Sequence, residues 1–139
     1  MATLTSHVKW TGGEQFLGVT PSGHAVPIDA DRERNTAPGP MDMLQIALAT
    51  CTATDVVSIL KKKRQKLASL EVIVEGERAA EPPRIWTKLD VLFKLAGALD
   101  EKAVKDAIHL SETKYCSVNA MLKKTAAITF RYEILSNTE

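Results

Sequence analysis

At 139 residues, with 45% hydrophobic and 25% charged residues, the chain has the size of one folded domain with its own core and is too short for two. This composition excludes a disordered or fibrous architecture. The formal net charge of +1 gives no electrostatic pull toward nucleic acid.

The first seven residues hold no basic stretch followed by an apolar run, so they do not read as a secretory signal. No uninterrupted apolar stretch reads as long enough to span a bilayer, so no membrane partner is expected. The predicted compartment is the cytoplasm, where thiols are kept reduced. Leu4, Val8 and Trp10 share one parity, and two further short apolar runs lie at residues 16–19 and 24–28. Gly12-Gly13 and Pro21-Ser22-Gly23 mark turns between them, which predicts short strands. Residues 29–40, ending in Thr-Ala-Pro-Gly-Pro, read as an ordered loop feeding a helix.

From residue 41 to about residue 66 the apolar positions Leu44, Ala47, Leu48, Cys51, Val56, Ile59 and Leu60 recur by threes and fours, which predicts a helix. Pro40 supplies its start, and Lys61-Lys62-Lys63-Arg64 complements its negative end. That basic run lacks interleaved aromatics and reads as the solvated end of the helix, not as a nucleic-acid surface. Between residues 43 and 60 the segment is apolar or small on nearly every face, so it is expected to be buried on most sides. In so small a protein this requires a central place against a sheet, or a second subunit.

Leu70, Val72 and Val74 alternate with Glu71, Ile73 and Glu75, and Thr87, Leu89, Val91, Phe93 and Leu95 alternate with Lys88, Asp90 and Lys94. This predicts a hairpin with one buried face. Asp100 is the expected N-cap of a second helix to about residue 112, with Val104, Ala107, Ile108 and Ser111 on one side. Cys116 follows, then a short helical turn at residues 119–123, then a last strand from Ala126 to Ile134.

Cys51 sits mid-helix and Cys116 at the junction after the second helix. There is no Cys-x-x-Cys, so neither a thioredoxin-type motif nor a zinc ribbon is present. Two buried, inert thiols or a transient disulfide both fit, because free cysteine packs as a small hydrophobe. A reactive Cys51 needs a cation beside it, since an apolar helix disfavours the thiolate. Arg32 and Arg34 are the nearest by sequence, with Arg78, Arg84 and Lys114 further away, and Asp55, one turn on, would oppose ionisation. His7, His24 and His109 lack ligand spacing, no phosphate loop occurs and no Gly-x-Ser-x-Gly elbow is present, so no metal or other cofactor is expected.

Three stretches carry a resemblance: Pro-Gly-Pro-Met-Asp-Met-Leu-Gln-Ile-Ala-Leu-Ala-Thr-Cys at 38–51, the following Thr-Ala-Thr-Asp-Val-Val-Ser-Ile-Leu, and Ser-Glu-Thr-Lys-Tyr-Cys-Ser-Val at 111–118. With the order of elements, they make the whole chain, residues 1–139, resemble the OsmC/Ohr family of thiol-dependent hydroperoxide reductases. The resemblance implies an α+β fold of antiparallel sheets around a long central helix, in an intertwined homodimer with its sites at the interface. It implies Cys51 as the peroxide-attacking thiol, Cys116 as the resolving thiol, an organic hydroperoxide as substrate and an external dithiol as reductant. Arg32 or Arg34 would activate Cys51, with Asp42 as orienter of that arginine. The alternative is a redox sensor or small-ligand binding protein on the same fold.

Two departures separate this sequence from the better-known hydroperoxide reductases. Their Glu directly after the helix-opening Pro is replaced by Met41, with the acid one position later at Asp42, about a hundred degrees around a helix. Residues 11–24, where the Ohr branch supplies its activating arginine, contain none.

Overall fold

Short, turn-bounded runs become strands where the sequence predicts them. In the computed structural model, which describes residues 2–135, β1 (His7–Gly12), β2 (Gln15–Val19) and β3 (Ala25–Asp29) form an antiparallel meander in the order β1-β2-β3. Its first turn uses Gly12 and Gly13 at φ of 122° and 57°, a backbone that is strained for any residue with a Cβ. β3 ends on Asp29, whose side chain is wholly buried. Its carboxylate accepts hydrogen bonds from the Thr36 hydroxyl at 2.6 Å, the Asp31 and Thr36 amides at 2.9 and 3.1 Å, and Arg34 Nε at 3.2 Å. Four donors converging on one carboxylate order the loop that the sequence places here.

Helix α1 runs from Pro40 to Lys62. Pro40 takes the first helical position, where its missing N–H costs nothing, and Asp42 reaches back to accept the Gly39 amide at 2.9 Å, half of a capping box. The helix stops four residues before the expected end. Arg64 adopts φ of 58°, and the amides of Arg64 and Gln65 bond the carbonyls of Lys61 and Leu60 at 3.0 and 2.9 Å, which is a Schellman closure built without glycine. Only Leu48, Thr52, Val56 and Leu60 are buried, a stripe spaced by fours, while Leu44, Ile46 and Val57 stay exposed. Within one chain, then, the helix is covered along a narrow line and not on most sides. By length and composition α1 is also apolar enough to cross a membrane, contrary to the expectation that no such stretch exists. Thr50, Thr52, Thr54, Asp55 and Ser58 break the apolar run without lowering its average far. A core helix of a soluble protein meets the same criterion.

The described residues group into two compact units divided inside α1, Met1–Gln45 and Ile46–Glu139. The first holds the meander and the loop around Asp29. In the second, β4 (Lys66–Arg78) and β5 (Trp86–Ala98) form a long antiparallel hairpin, and β6 (Ala127–Ile134) joins β5 in parallel, giving the order β4-β5-β6. A parallel neighbour requires a crossover. Here it consists of α2 (Glu101–Leu110), a single π turn (Ser111–Tyr115) and α3 (Ser117–Leu122).

The register puts Leu70, Val72 and Val74, then Leu89, Val91, Phe93 and Leu95, then Ile128, Phe130, Tyr132 and Ile134 on one face. This face joins Leu48, Val56 and Leu60 of α1 and Ala103, Val104, Ala107 and Ile108 of α2 in one apolar cluster. The four inward residues of β5 and Val104 are fully buried, each contributing about 1.5–3 kcal/mol on transfer from water. The other face is mostly polar apart from the paired Ile73 and Leu92, with Arg131 held by both oxygens of Asp90. Gly97, at φ of 136°, sits opposite a bulge where a Cβ would collide with the Lys66 carbonyl and the Ala68 amide. Asp100 occupies the N-cap of α2, but its side chain makes no capping bond. Its amide instead donates to Gln65 Oε1 at 2.6 Å.

Candidate active site

The two cysteines, 65 positions apart in sequence, meet inside the second unit. Cys51 lies midway along α1 and is half-buried; Cys116 lies between the π turn and α3 and is 3% exposed. The two side chains lie near each other, close enough for Cys51 to act on the protonation of Cys116. Both are free thiols.

Local structure explains the placement of Cys116. Leaving α2 through a π turn inserts one residue per turn, closed by the Cys116 amide on the Ser111 carbonyl at 2.9 Å. Cys116 then turns extended, with φ of −76° and ψ of 105°, and its sulfur accepts the Asn119 amide at 3.3 Å as the cap of α3. Single π turns of this kind recur at functional positions.

Burial is the main force on this thiol. It pushes the Cys116 thiol up to about 11, and the hydrogen bond to Cys51 acts in the same direction. The Asn119 amide pulls the other way, while the charges of Cys51 and Asp55 add to the rise. Cys116 therefore holds its proton at neutral pH.

Asp55 follows Cys51 by one helical turn and accepts the Ser111 hydroxyl at 2.8 Å. Beyond it, a cleft of about 380 Å³ is lined by Asp55, Ile59, Lys62, Lys63, Leu110 and Tyr115, among others. Lys62 and Lys63 of the basic run thus border a concavity that also includes Asp55, rather than serving only as a solvated helix end. Ser111 was legible as a residue on the buried side of α2, and Asp55 as a neighbour of Cys51. Asn119 had no role in the sequence reading; a polar residue at a buried position is the signal that would have flagged it.

Of the remaining sequence candidates, Arg78 lies over the Trp86 ring and Lys114 over the Tyr115 ring, while Arg32, Arg34 and Asp42 lie in the first unit. Arg34 is partnered by Asp29, which is held well below the usual carboxylate range first by the Thr36 hydroxyl, then by the Asp31 and Thr36 amides and by Arg34 itself. Asp42 is bonded to the Gly39 amide, so the carboxylate that orients Arg34 is Asp29, not Asp42. The one-residue shift after Pro40 is the reason: it places the acid at the third helical position, where it reaches back to the cap. Arg32 is exposed in the same loop. Among the described residues no group of three or more His, Cys, Asp or Glu side chains is arranged to hold a metal.

The profile of the family described as OsmC-like protein matches residues 33–131, a span that includes both cysteines. The chain belongs to the OsmC-like family. Among curated relatives, Protein YhfA of Escherichia coli K12 is 42% identical over 134 residues, covering 96% of this chain and 99% of YhfA. A crystal structure of a hypothetical protein from Aquifex aeolicus VF5 superposes with a TM-score of 0.87 at 28% identity, covering 97% of this chain and 98% of that one. An organic hydroperoxide resistance protein OsmC from Legionella pneumophila shares the fold at a TM-score of 0.68 and 14% identity, with 96% and 98% covered. The α+β architecture with two sheets and a long helix is thus the OsmC-like fold.

Proposed function

We propose that this protein reduces organic hydroperoxides to alcohols through its two thiols. The observation that carries the reading is the nearness of Cys51 and Cys116, 65 positions apart in sequence, in a chain of the OsmC-like family. Cys51, as thiolate, attacks the terminal peroxide oxygen, the O–O bond breaks, an alcohol leaves, and Cys51 becomes a sulfenic acid. Cys116 then condenses with it, giving a disulfide and water. An external dithiol restores both thiols by exchange. No resident cofactor is needed.

The apolar residues of α1 around Cys51, Ala47 and Leu48 among them, favour organic hydroperoxides over hydrogen peroxide. In this reading Arg32 or Arg34 is the cation that offsets the Cys51 charge, and Asp29 rather than Asp42 orients Arg34 by holding its guanidinium. A homodimer is the expected assembly, because α1 leaves Leu44, Ile46 and Val57 exposed on one chain and a second copy would cover them. The cytoplasm, with its dithiol systems, is the compartment that suits this cycle.

The absence of arginine from residues 11–24 supports a second reading, in which the same thiol pair is a redox sensor without fast turnover. One experiment tests both. Reduced protein is mixed with one equivalent of cumene hydroperoxide, and thiol loss and disulfide formation are followed in the wild type, Cys51→Ser and Cys116→Ser. The peroxidase reading predicts thiol loss far faster than for a free thiol, abolished in Cys51→Ser, and a trappable sulfenic acid in Cys116→Ser. Thiol loss no faster than for free cysteine overturns it. Repeated turnover with added dithiol distinguishes enzyme from sensor.

A further inference from the structure

The segment that carries Cys116 is fastened by polar contacts that a resolving thiol does not itself require. Ser111 opens the π turn: its carbonyl accepts the Cys116 amide at 2.9 Å and its hydroxyl donates to Asp55, one turn past Cys51. Asn119 closes the other side. It is 1% exposed, its amide donates to the Cys116 sulfur at 3.3 Å, and its Nδ2 donates to the Glu112 carbonyl at 3.0 Å. Its Oδ1 is buried with no hydrogen-bond partner among the described residues. A buried carbonyl left without a donor opposes folding, so a merely space-filling role would be served better by an apolar side chain. What the Asn119 side chain supplies is its donor, which ties α3 to the π turn with Cys116 between them.

On the basis of the proposed thiol chemistry, we infer that Asn119 is a positioning residue for the resolving thiol, clamping the π turn so that the Cys116 sulfur stays within reach of Cys51. Its action falls on the second step. There the Cys116 sulfur attacks the sulfenic sulfur of Cys51, the S–S bond forms and the S–O bond breaks. The Cys116 proton leaves with the hydroxyl as water, and the oxidising equivalents come from the hydroperoxide. The Asn119 side chain contacts neither sulfur through its Nδ2; it acts through the Glu112 carbonyl.

The test compares the wild type with Asn119→Leu, Asn119→Ala and Val104→Ala. Asn119→Leu keeps the volume and drops the unpartnered carbonyl, so it keeps the comparison interpretable if Asn119→Ala folds poorly. Val104→Ala weakens the core away from the thiols. Each protein is equilibrated in reduced and oxidised glutathione, and the Cys51–Cys116 disulfide is quantified by mass spectrometry, a readout that needs no reaction with peroxide. Both Asn119 variants should form the disulfide with an equilibrium constant lower by roughly tenfold, about 30 mV, and Val104→Ala should match the wild type. With one equivalent of cumene hydroperoxide, loss of the first thiol should be unchanged in the Asn119 variants. Their Cys51 sulfenic acid, trapped with dimedone, should accumulate.

An unshifted disulfide equilibrium in both Asn119 variants overturns the inference, as does an equal shift in Val104→Ala. A wild type that forms the disulfide in glutathione but does not react with hydroperoxide overturns the peroxidase reading. The glutathione comparison then still decides the role of Asn119.

Discussion

Ser111 Oγ donates to Asp55 Oδ2 at 2.8 Å across 56 positions of sequence, and this bond ties the end of α2 to the helix turn that follows Cys51. Ser111 is buried and Asp55 half-buried, so the bond is shielded from competing water. Replacing Ser111 with Ala should lower unfolding stability by about 1–3 kcal/mol, read from urea denaturation. Asp55→Asn should cost less, because the amide oxygen still accepts from the hydroxyl.

The two thiols should alkylate in a fixed order. Cys116 is pushed up to about 11 from an ordinary value of 9.0, by burial first and by its hydrogen bond to Cys51 second. Iodoacetamide at pH 8 should therefore label Cys51 well before Cys116, as read by peptide mass spectrometry. The same shift has a stability consequence. A thiol raised by folding contributes stability in full below its unfolded value near 9, and this contribution is lost as pH rises through about 11. Melting temperature should fall across that window, and the fall should be smaller in Cys116→Ser.

Asp29 carries the opposite sign. Its carboxyl is lowered by the Thr36 hydroxyl above all, with the Asp31 and Thr36 amides and Arg34 adding to this. Stability from this site is present above the unfolded value near 3.8 and is lost as pH falls toward the folded value. Asp29→Asn should flatten the acid limb of a circular dichroism titration. At neutral pH it should lower the melting temperature, because the ionic partner of Arg34 is removed.

If α1 meets a second copy of the chain, Val57→Glu should place an uncompensated charge in that contact. Val57 is 43% exposed in one chain, so the substitution should leave the monomer fold intact. Light scattering after size exclusion should then report a shift from dimer to monomer, with circular dichroism unchanged.

Much of this arrangement could be read from the sequence, because period and turn chemistry act locally. The alternation of Leu89, Val91, Phe93 and Leu95 fixed the buried face of β5, and the glycines at 12 and 13 fixed the first hairpin. The end of α1 was not legible, since Arg64 takes a left-handed backbone that nothing in its side chain announces. The parallel pairing of β6 with β5 was hidden for a different reason: alternation marks a strand but not its direction. At the site, the cysteines stood out by their chemistry. The substitution of Asp29 for Asp42 as the partner of Arg34 depended on loop geometry that spacing cannot convey. Asn119 escaped notice because its side chain bonds a backbone carbonyl, a contact that spacing does not convey.

The parallel placement of β6 gives the thiol pair an unusual mechanical setting. Because β5 and β6 run side by side in the same direction, the α2–π turn–α3 segment between them is anchored to the sheet at both ends, and Cys116 lies on it well away from either anchor. A doubly tethered segment cannot swing aside as a free tail or a long loop can. Oxidation and reduction should therefore proceed with the backbone nearly still, and amide hydrogen exchange through β5 and β6 should be almost the same in the dithiol and disulfide forms.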